Sequence, residues 1–154
     1  MRILVMSDSH GSKKNMFDAI EIESPDVILF LGDNIRDCYD IEALHPEIML
    51  RSVKGNCDQG FPGIEIDEFV LEGKMFLMTH GHLFGVKLGK TRILDASTMR
   101  GVDILLFGHT HIPYHAEKDG LVAVNPGSIG AGGKYYAILE IKNGVVECEL
   151  KTLI

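Results

Sequence analysis

Short apolar runs recur along the chain, and each is followed at once by polar residues able to hold a cation. Arg2-Ile3-Leu4-Val5-Met6-Ser7 leads into Asp8-Ser9-His10-Gly11, and Val27-Ile28-Leu29-Phe30-Leu31 leads into Gly32-Asp33-Asn34. Met49-Leu50-Arg51-Ser52-Val53 precedes Gly55-Asn56, Met75-Phe76-Leu77-Met78-Thr79 precedes His80-Gly81-His82, and Val102-Asp103-Ile104-Leu105-Leu106-Phe107 precedes Gly108-His109-Thr110-His111. Short apolar runs bounded by turn residues read as buried strands. Oxygen and nitrogen donors thus gather at strand carboxyl ends, where open α/β sheets place their sites.

Between these runs the first half alternates strand and helix. Ser12 reads as the cap of a helix through about Ile22, with Met16, Phe17 and Ile20 on its apolar face and Pro25 beyond its end. A short helix is expected over residues 37–44, closed near Pro46, and a third strand over 48–53. These elements form a right-handed βαβαβ unit with a parallel sheet. In the second half Ile64, Ile66 and Phe69 alternate with Glu65, Asp67 and Glu68, and Glu72-Gly73 turns that strand into 74–79. A helix is predicted over 87–99 and strands over 114–117, 121–124, 135–141 and 145–150, with tight turns at Asp119-Gly120 and Asn143-Gly144. The expected fold is α/β: two mixed sheets packed together, with helices outside, in a single domain over residues 1–154 without linker or repeat. The run Gly127-Ser128-Ile129-Gly130-Ala131-Gly132-Gly133 is either a loop that approaches the site or a mobile loop. Met6, Met49, Met75 and Met78 read as core filler.

Composition narrows the function. With 154 residues, 45% of them hydrophobic, the chain can bury a substantial core. The formal net charge is −7, and no basic run exceeds Lys13-Lys14, so the track a long nucleic acid requires is missing. Cys38, Cys57 and Cys148 show no paired spacing, which fits a reducing cytoplasm. Asp8 and His10 break the first apolar run, so a signal peptide is not expected, and no segment approaches the ~20 apolar residues of a membrane helix.

Asp8 and His10 stand at i and i+2, and an extended backbone would turn both to one side, toward a single metal. His109 and His111 repeat the spacing and read the same way. Asp33 adds a carboxylate, Asn56 a neutral amide oxygen and His80 an imidazole. Singly each is weak, since a strand-end Asp is commonly a cap or turn residue. Together these donors exceed what four-coordinate zinc uses, and a two-metal centre takes all of them if one carboxylate bridges. Two divalent ions would bring about +4, and two aspartates with a bridging hydroxide would remove about three, leaving a net charge near +1 that attracts a phosphate anion. The hydroxide would be the nucleophile. Manganese is the expected ion, with iron, zinc and nickel the alternatives for mixed nitrogen and oxygen ligation. Arg36 reads as a phosphate clamp or a solvated surface residue. His82 reads as a substrate contact, a group orienting His80, or a plain loop residue, and Asp58 as a partner of Asn56 or a turn cap.

The five donor blocks, in their order, resemble those of the calcineurin-like metallophosphoesterases, and Asn125-Pro126-Gly127-Ser128 resembles a further motif of the small YfcE-like phosphodiesterase subgroup. The resemblance implies a four-layer αββα sandwich. It implies one metal held by Asp8, His10, Asp33 and His111 and a second by Asp33, Asn56, His80 and His109, with Asp33 as the bridge. It implies catalytic roles for Asn56, His80 and Asp33, substrate contacts from Asn56, Cys57, His82 and Arg36, and a small phosphodiester substrate. Many members carry His directly after the Asn ligand, near the leaving group; here the residue is Cys57. The alternatives are a phosphomonoesterase or nuclease on the same centre, or a non-catalytic scaffold like the retromer subunit that shares the fold. A homo-oligomer is compatible with all of these.

Overall fold

The computed structural model describes residues 1–130 and 132–154; Ala131, within the glycine-rich run, lies outside the described residues. Strands and helices follow in the order β1 (Arg2–Met6), α1 (Lys13–Glu23), β2 (Val27–Phe30), α2 (Asp37–Leu44), β3 (Met49–Ser52), β4 (Ile66–Leu71), β5 (Lys74–Thr79), α3 (Thr91–Met99), β6 (Ile104–Leu106), β7 (Tyr114–Lys118), β8 (Leu121–Asn125), β9 (Tyr135–Lys142) and β10 (Val145–Thr152). A single 3₁₀ turn, His82–Phe84, follows β5. One five-stranded sheet runs β10-β9-β1-β2-β3 and the other β4-β5-β6-β8-β7. β1, β2 and β3 are mutually parallel, as are β5, β6 and β8, with antiparallel strands completing each sheet.

Strand alternation sorts the core into three layers. Ile3 and Val5 of β1 and Val27 and Leu29 of β2 face Phe76, Met78, Ile104 and Leu106 of the second sheet. Leu4, Met6, Ile28 and Phe30 point the other way, onto Met16, Ala19 and Ile20 of α1 and Cys38 and Ile41 of α2. Leu77 and Leu105 point outward onto Ile93 of α3 and Val86. The result is helix, sheet, sheet, helix: the four-layer sandwich. Each fully buried side chain of this size contributes about 1.5–3 kcal/mol, so the inward and outward faces of β1 and β2 together fix their register.

Three local expectations need correction. Ser12 makes no capping hydrogen bond, so α1 starts without one. The third helix begins at Thr91, not near residue 87, because Gly89 sits at φ +153°, outside helical backbone. β3 is an edge strand of partly exposed residues, and Met49 is 51% exposed, so it fills no core. The glycine-rich run does approach the donor loops: Ser128 and Ile129 are buried, and the Ile129 amide donates to the Ser7 carbonyl at 3.0 Å.

Candidate metal centre

All the parallel strands point their carboxyl ends to one edge of the sandwich, and the donor loops emerge there. The Asp8-His10 loop leaves β1, the Asp33 loop leaves β2, and Asn56 and Cys57 follow β3. His80 follows β5, and His109 and His111 follow β6. Five donors occupy left-handed backbone: Asp8 (φ 55°), His10 (φ 45°), Asp33 (φ 61°), His109 (φ 68°) and His111 (φ 61°). The i, i+2 argument from extended strand therefore does not apply, because the backbone curls as it leaves each sheet.

The curl brings together Asp8, His10 and His111 in one donor group and Asp33, His80 and His109 in another, while His10, Asp33 and Cys57 form a third that links them. His109 and His111 thus turn to different groups, against the single-ion reading of their spacing. The His10 and His111 Nε2 atoms lie 3.3 Å apart, and His80 Nε2 lies 3.1 Å from His109 Nδ1. Asp8 Oδ1 is 3.0 Å from His111 Nε2, 3.7 Å from His80 Nε2 and 3.9 Å from His10 Nε2. Asp33 Oδ2 stands between the groups, 3.4 Å from His80 Nε2 and 3.9 Å from His10 Nε2.

These donors are prepared for a cation. His80 Nδ1 donates to the Leu31 carbonyl at 2.7 Å, which turns Nε2 toward the cluster. Asp8 Oδ2 accepts from the Ser7 hydroxyl and the His109 amide, whereas Asp8 Oδ1 is buried with no hydrogen-bond partner. A bare, buried carboxylate oxygen ringed by imidazole nitrogens fits a divalent ion, which would satisfy it. Gly108 keeps that pocket open, since a Cβ there would stand 2.1 Å from Ser7 Oγ and 2.9 Å from Asp8 Oδ2.

Charge follows the same geometry. Burial opposes ionisation of Asp33, but hydrogen bonds from His80 and the Cys57 amide, with the charge of His80, hold its carboxyl well below the usual range. Burial would lower the His80 pKa, yet Asp33 and Asp8 raise it overall. Burial, then repulsion from His80 and Lys87, brings His109 down to about 4, so its imidazole is neutral and free to ligate near pH 7. Burial, then the charge of Asp33, raises the Cys57 thiol, which keeps its proton.

The remaining sequence candidates sit around this core. Asn56 is exposed, and its Nδ2 lies 3.5 Å from Cys57 Sγ. The Cys57 amide donates to Asp33 Oδ1 at 3.0 Å. The His82 ring lies 5.5 Å from that of His80 and 6.1 Å from that of His109, with its Nε2 3.6 Å from Glu65. Arg36 is not brought into the donor groups; it is exposed at the start of α2, over the Phe61 ring.

Four polar residues around the donors, Asp58, Asp37, Asn125 and Ser128, hold the loops in place. Asp58 is buried and accepts from the amides of Asp33, Asn34, Ile35 and Gly55 at 2.8–2.9 Å, tying the β2 loop to the β3 loop. Asp37 accepts from the Ser9 hydroxyl at 2.7 Å and the Gly11 amide at 3.2 Å. Asn125 donates to the Gly108 carbonyl at 2.9 Å and to Thr110, and Ser128 donates to the Asp8 carbonyl at 2.8 Å. Of these, the Asn125-Pro126-Gly127-Ser128 motif left a trace in sequence; Asp37 read only as a helix-start residue.

Comparison with known proteins agrees with this geometry. Residues 1–144 match the calcineurin-like phosphoesterase superfamily domain. The chain is 34% identical over 152 residues to the probable metallophosphoesterase YsnB of Bacillus subtilis, covering 93% of this chain and 86% of that protein. It is 28% identical over 150 residues to the phosphodiesterase MJ0936 of Methanocaldococcus jannaschii, covering 82% and 83%. A predicted phosphoesterase of Streptococcus pneumoniae superposes with a TM-score of 0.79 at 27% identity, covering 98% of this chain and 88% of that one. Vps29 of Entamoeba histolytica, solved with Zn²⁺, shares the fold with a TM-score of 0.78 at 22% identity over 98% of each chain. A donor cluster at the strand ends of a two-sheet sandwich, matched along nearly the whole chain, places this protein in the calcineurin-like phosphoesterase superfamily.

Proposed function

We propose that the chain is a phosphodiesterase with two divalent metal ions, manganese first among them, acting on a small phosphodiester in the cytoplasm as a single domain over residues 1–154. The observation that carries this reading is the unpartnered Asp8 Oδ1 in one of two donor groups that a third set, through His10 and Asp33, links. Asp8, His10, Asp33 and His111 would hold one ion, and Asp33, Asn56, His80 and His109 the other. When bound, such ions polarise phosphoryl oxygens and make a water ionisable near neutral pH. Leu31 keeps His80 in the ligating tautomer, and Asp58 keeps Asp33 facing both groups. Asn56 offers a neutral amide to a phosphoryl oxygen. The protonated Cys57 thiol stands beside Asp33 at the exposed mouth of the site.

Diester is preferred over monoester because a site of net charge near +1 suits a monoanion better than a dianion, and because MJ0936 is a phosphodiesterase. The fold shared with Vps29 supports a second reading, a non-catalytic scaffold; the full donor set argues for catalysis. Metal analysis with turnover of bis(p-nitrophenyl) phosphate and p-nitrophenyl phosphate separates the three. Diester turnover dependent on added Mn²⁺ supports the proposal, preference for the monoester replaces the substrate class, and a fully loaded protein that turns over neither is a scaffold.

A further inference from the structure

The segment after β5 places two lysines beside the donor loops. Phe84 and Val86 turn into the core against Leu77 and Ile93. Gly81 makes room for Val86, since a Cβ there would stand 2.9 Å from the valine methyl. With Val86 pegged inward, Lys87 is displayed outward from an anchored position. Lys90 follows at the start of α3, its Nζ 4.6 Å from the centre of the Tyr114 ring. Both lysines line one cavity of about 430 Å³ with Thr110, Ile112, Pro113 and Tyr114. Thr110 lies between His109 and His111, so this cavity shares a loop with the donor cluster.

Among the described residues neither lysine has an ion-pair partner, as is true also of Arg36, Lys54, Lys74, Arg92, Lys118 and Lys134; what sets this pair apart is the cavity they share beside the His109–His111 loop. The α3 N-terminus has no acidic residue in its first turn and no side-chain cap, so its free amides add to the field. Two ammonium groups without ion-pair partners on one cavity, in a chain of net charge −7, make a site suited to an anion. The apolar wall of Ile112, Pro113 and Tyr114 suits a sugar or base attached to it.

We propose that Lys87 and Lys90 form a subsite for a second phosphate group of the substrate, so that the favoured diesters are nucleotide-like molecules carrying a further phosphate monoester. This rests on the phosphodiesterase reading, with the scissile phosphate at the metal centre and the second phosphate beside it. Calorimetric titration of the Mn²⁺-loaded protein with thymidine 3′,5′-bisphosphate and thymidine 5′-monophosphate tests it. The bisphosphate should bind about tenfold more tightly, the factor that one charge-assisted hydrogen bond supplies. K87Q/K90Q, which keeps much of each side-chain stem, should lose that preference, and Lys134→Gln should retain it; thermal melts of each variant show that it is folded. Equal binding of the two ligands by the wild type, or a preference that survives in folded K87Q/K90Q, overturns the subsite. The p-nitrophenyl ester of thymidine 5′-phosphate, with and without a 3′-phosphate, reports separately on the parent reading. Absence of turnover of both refutes the diesterase while the binding preference still decides the subsite.

Discussion

Replacing Asp58 by alanine removes the acceptor of four backbone amides at once, those of Asp33, Asn34, Ile35 and Gly55. Asp33, Ile35 and Gly55 are buried, so their amides cannot simply turn to bulk water. A buried donor left unsatisfied costs about 1–3 kcal/mol. Water entering the space of the lost carboxylate would satisfy some of the four, which leaves an expected loss of about 3–5 kcal/mol, at the upper end for a single substitution. For a chain of this length that corresponds to a fall in melting temperature on the order of 10 °C. Asp33 and Asn34 are held at φ 61° and 83°; freed from Asp58, both would relax toward ordinary backbone and carry the Asp33 carboxylate away from His10 and His80. The variant should therefore lose metal as well as stability. Denaturant titration of the metal-free protein gives the first quantity, and elemental analysis after dialysis against Mn²⁺ gives the second. An Asp58→Ala protein within 1 kcal/mol of wild type and fully loaded with metal would refute the idea that Asp58 organises the site.

Asp33→Asn should lower metal occupancy in both donor groups, whereas His111→Ala should chiefly affect the group of Asp8 and His10; undiminished metal content in Asp33→Asn would sink the two-ion arrangement. Glu23 is buried with Lys151, Tyr136 and Arg2 around it; burial pushes its pKa up, but these donors outweigh burial and hold it below the ordinary value. Its stabilisation is therefore present above the unfolded pKa of about 4.3 and is lost as pH falls through the lower folded value. Glu23→Gln should cost about 1–3 kcal/mol at pH 7 and flatten that acid limb, and parallel acid limbs in pH-dependent denaturation would contradict this. Cys57→Ala should leave aryl diester turnover nearly unchanged, because an aryl oxide needs no acid. Cys57→His should raise alkyl diester turnover more than aryl, toward the ~10²–10⁴-fold that general acids supply; a large aryl loss in metal-loaded Cys57→Ala would give the thiol a catalytic part.

Much of the architecture was written in periodicity. The alternation of Ile3 and Val5 with Leu4 and Met6 carries both faces of β1, and Asp119-Gly120 and Asn143-Gly144 mark the hairpins of β7-β8 and β9-β10. The donors were legible because each follows an apolar run. Spacing paired Asp8 with His10 correctly but not His109 with His111, which the left-handed backbone after β6 sends to different groups. The role of Asp37 was hidden too: its partners, Ser9 and Gly11, are distant in sequence and meet it only once α2 packs on the first sheet. The start of α3 is set by Gly89, whose backbone at φ 153° cannot continue a helix, so the element begins at Thr91.

Five donors standing in left-handed backbone make this end of the molecule a place where folding and chemistry pull apart. A residue with a Cβ in that conformation costs about 1–2 kcal/mol, and glycine avoids the cost. Glycine at His10 or His111 would therefore give a hardier fold with an emptier site, gaining stability through the loss of a ligand. A library of variants sorted only for resistance to heat or protease should accumulate glycine at these positions. A library sorted for turnover should hold the donors and recover its stability elsewhere, in α1, α2 and the space between the sheets. Freed from its chemistry, the chain would drift at its loops long before it changed in its core.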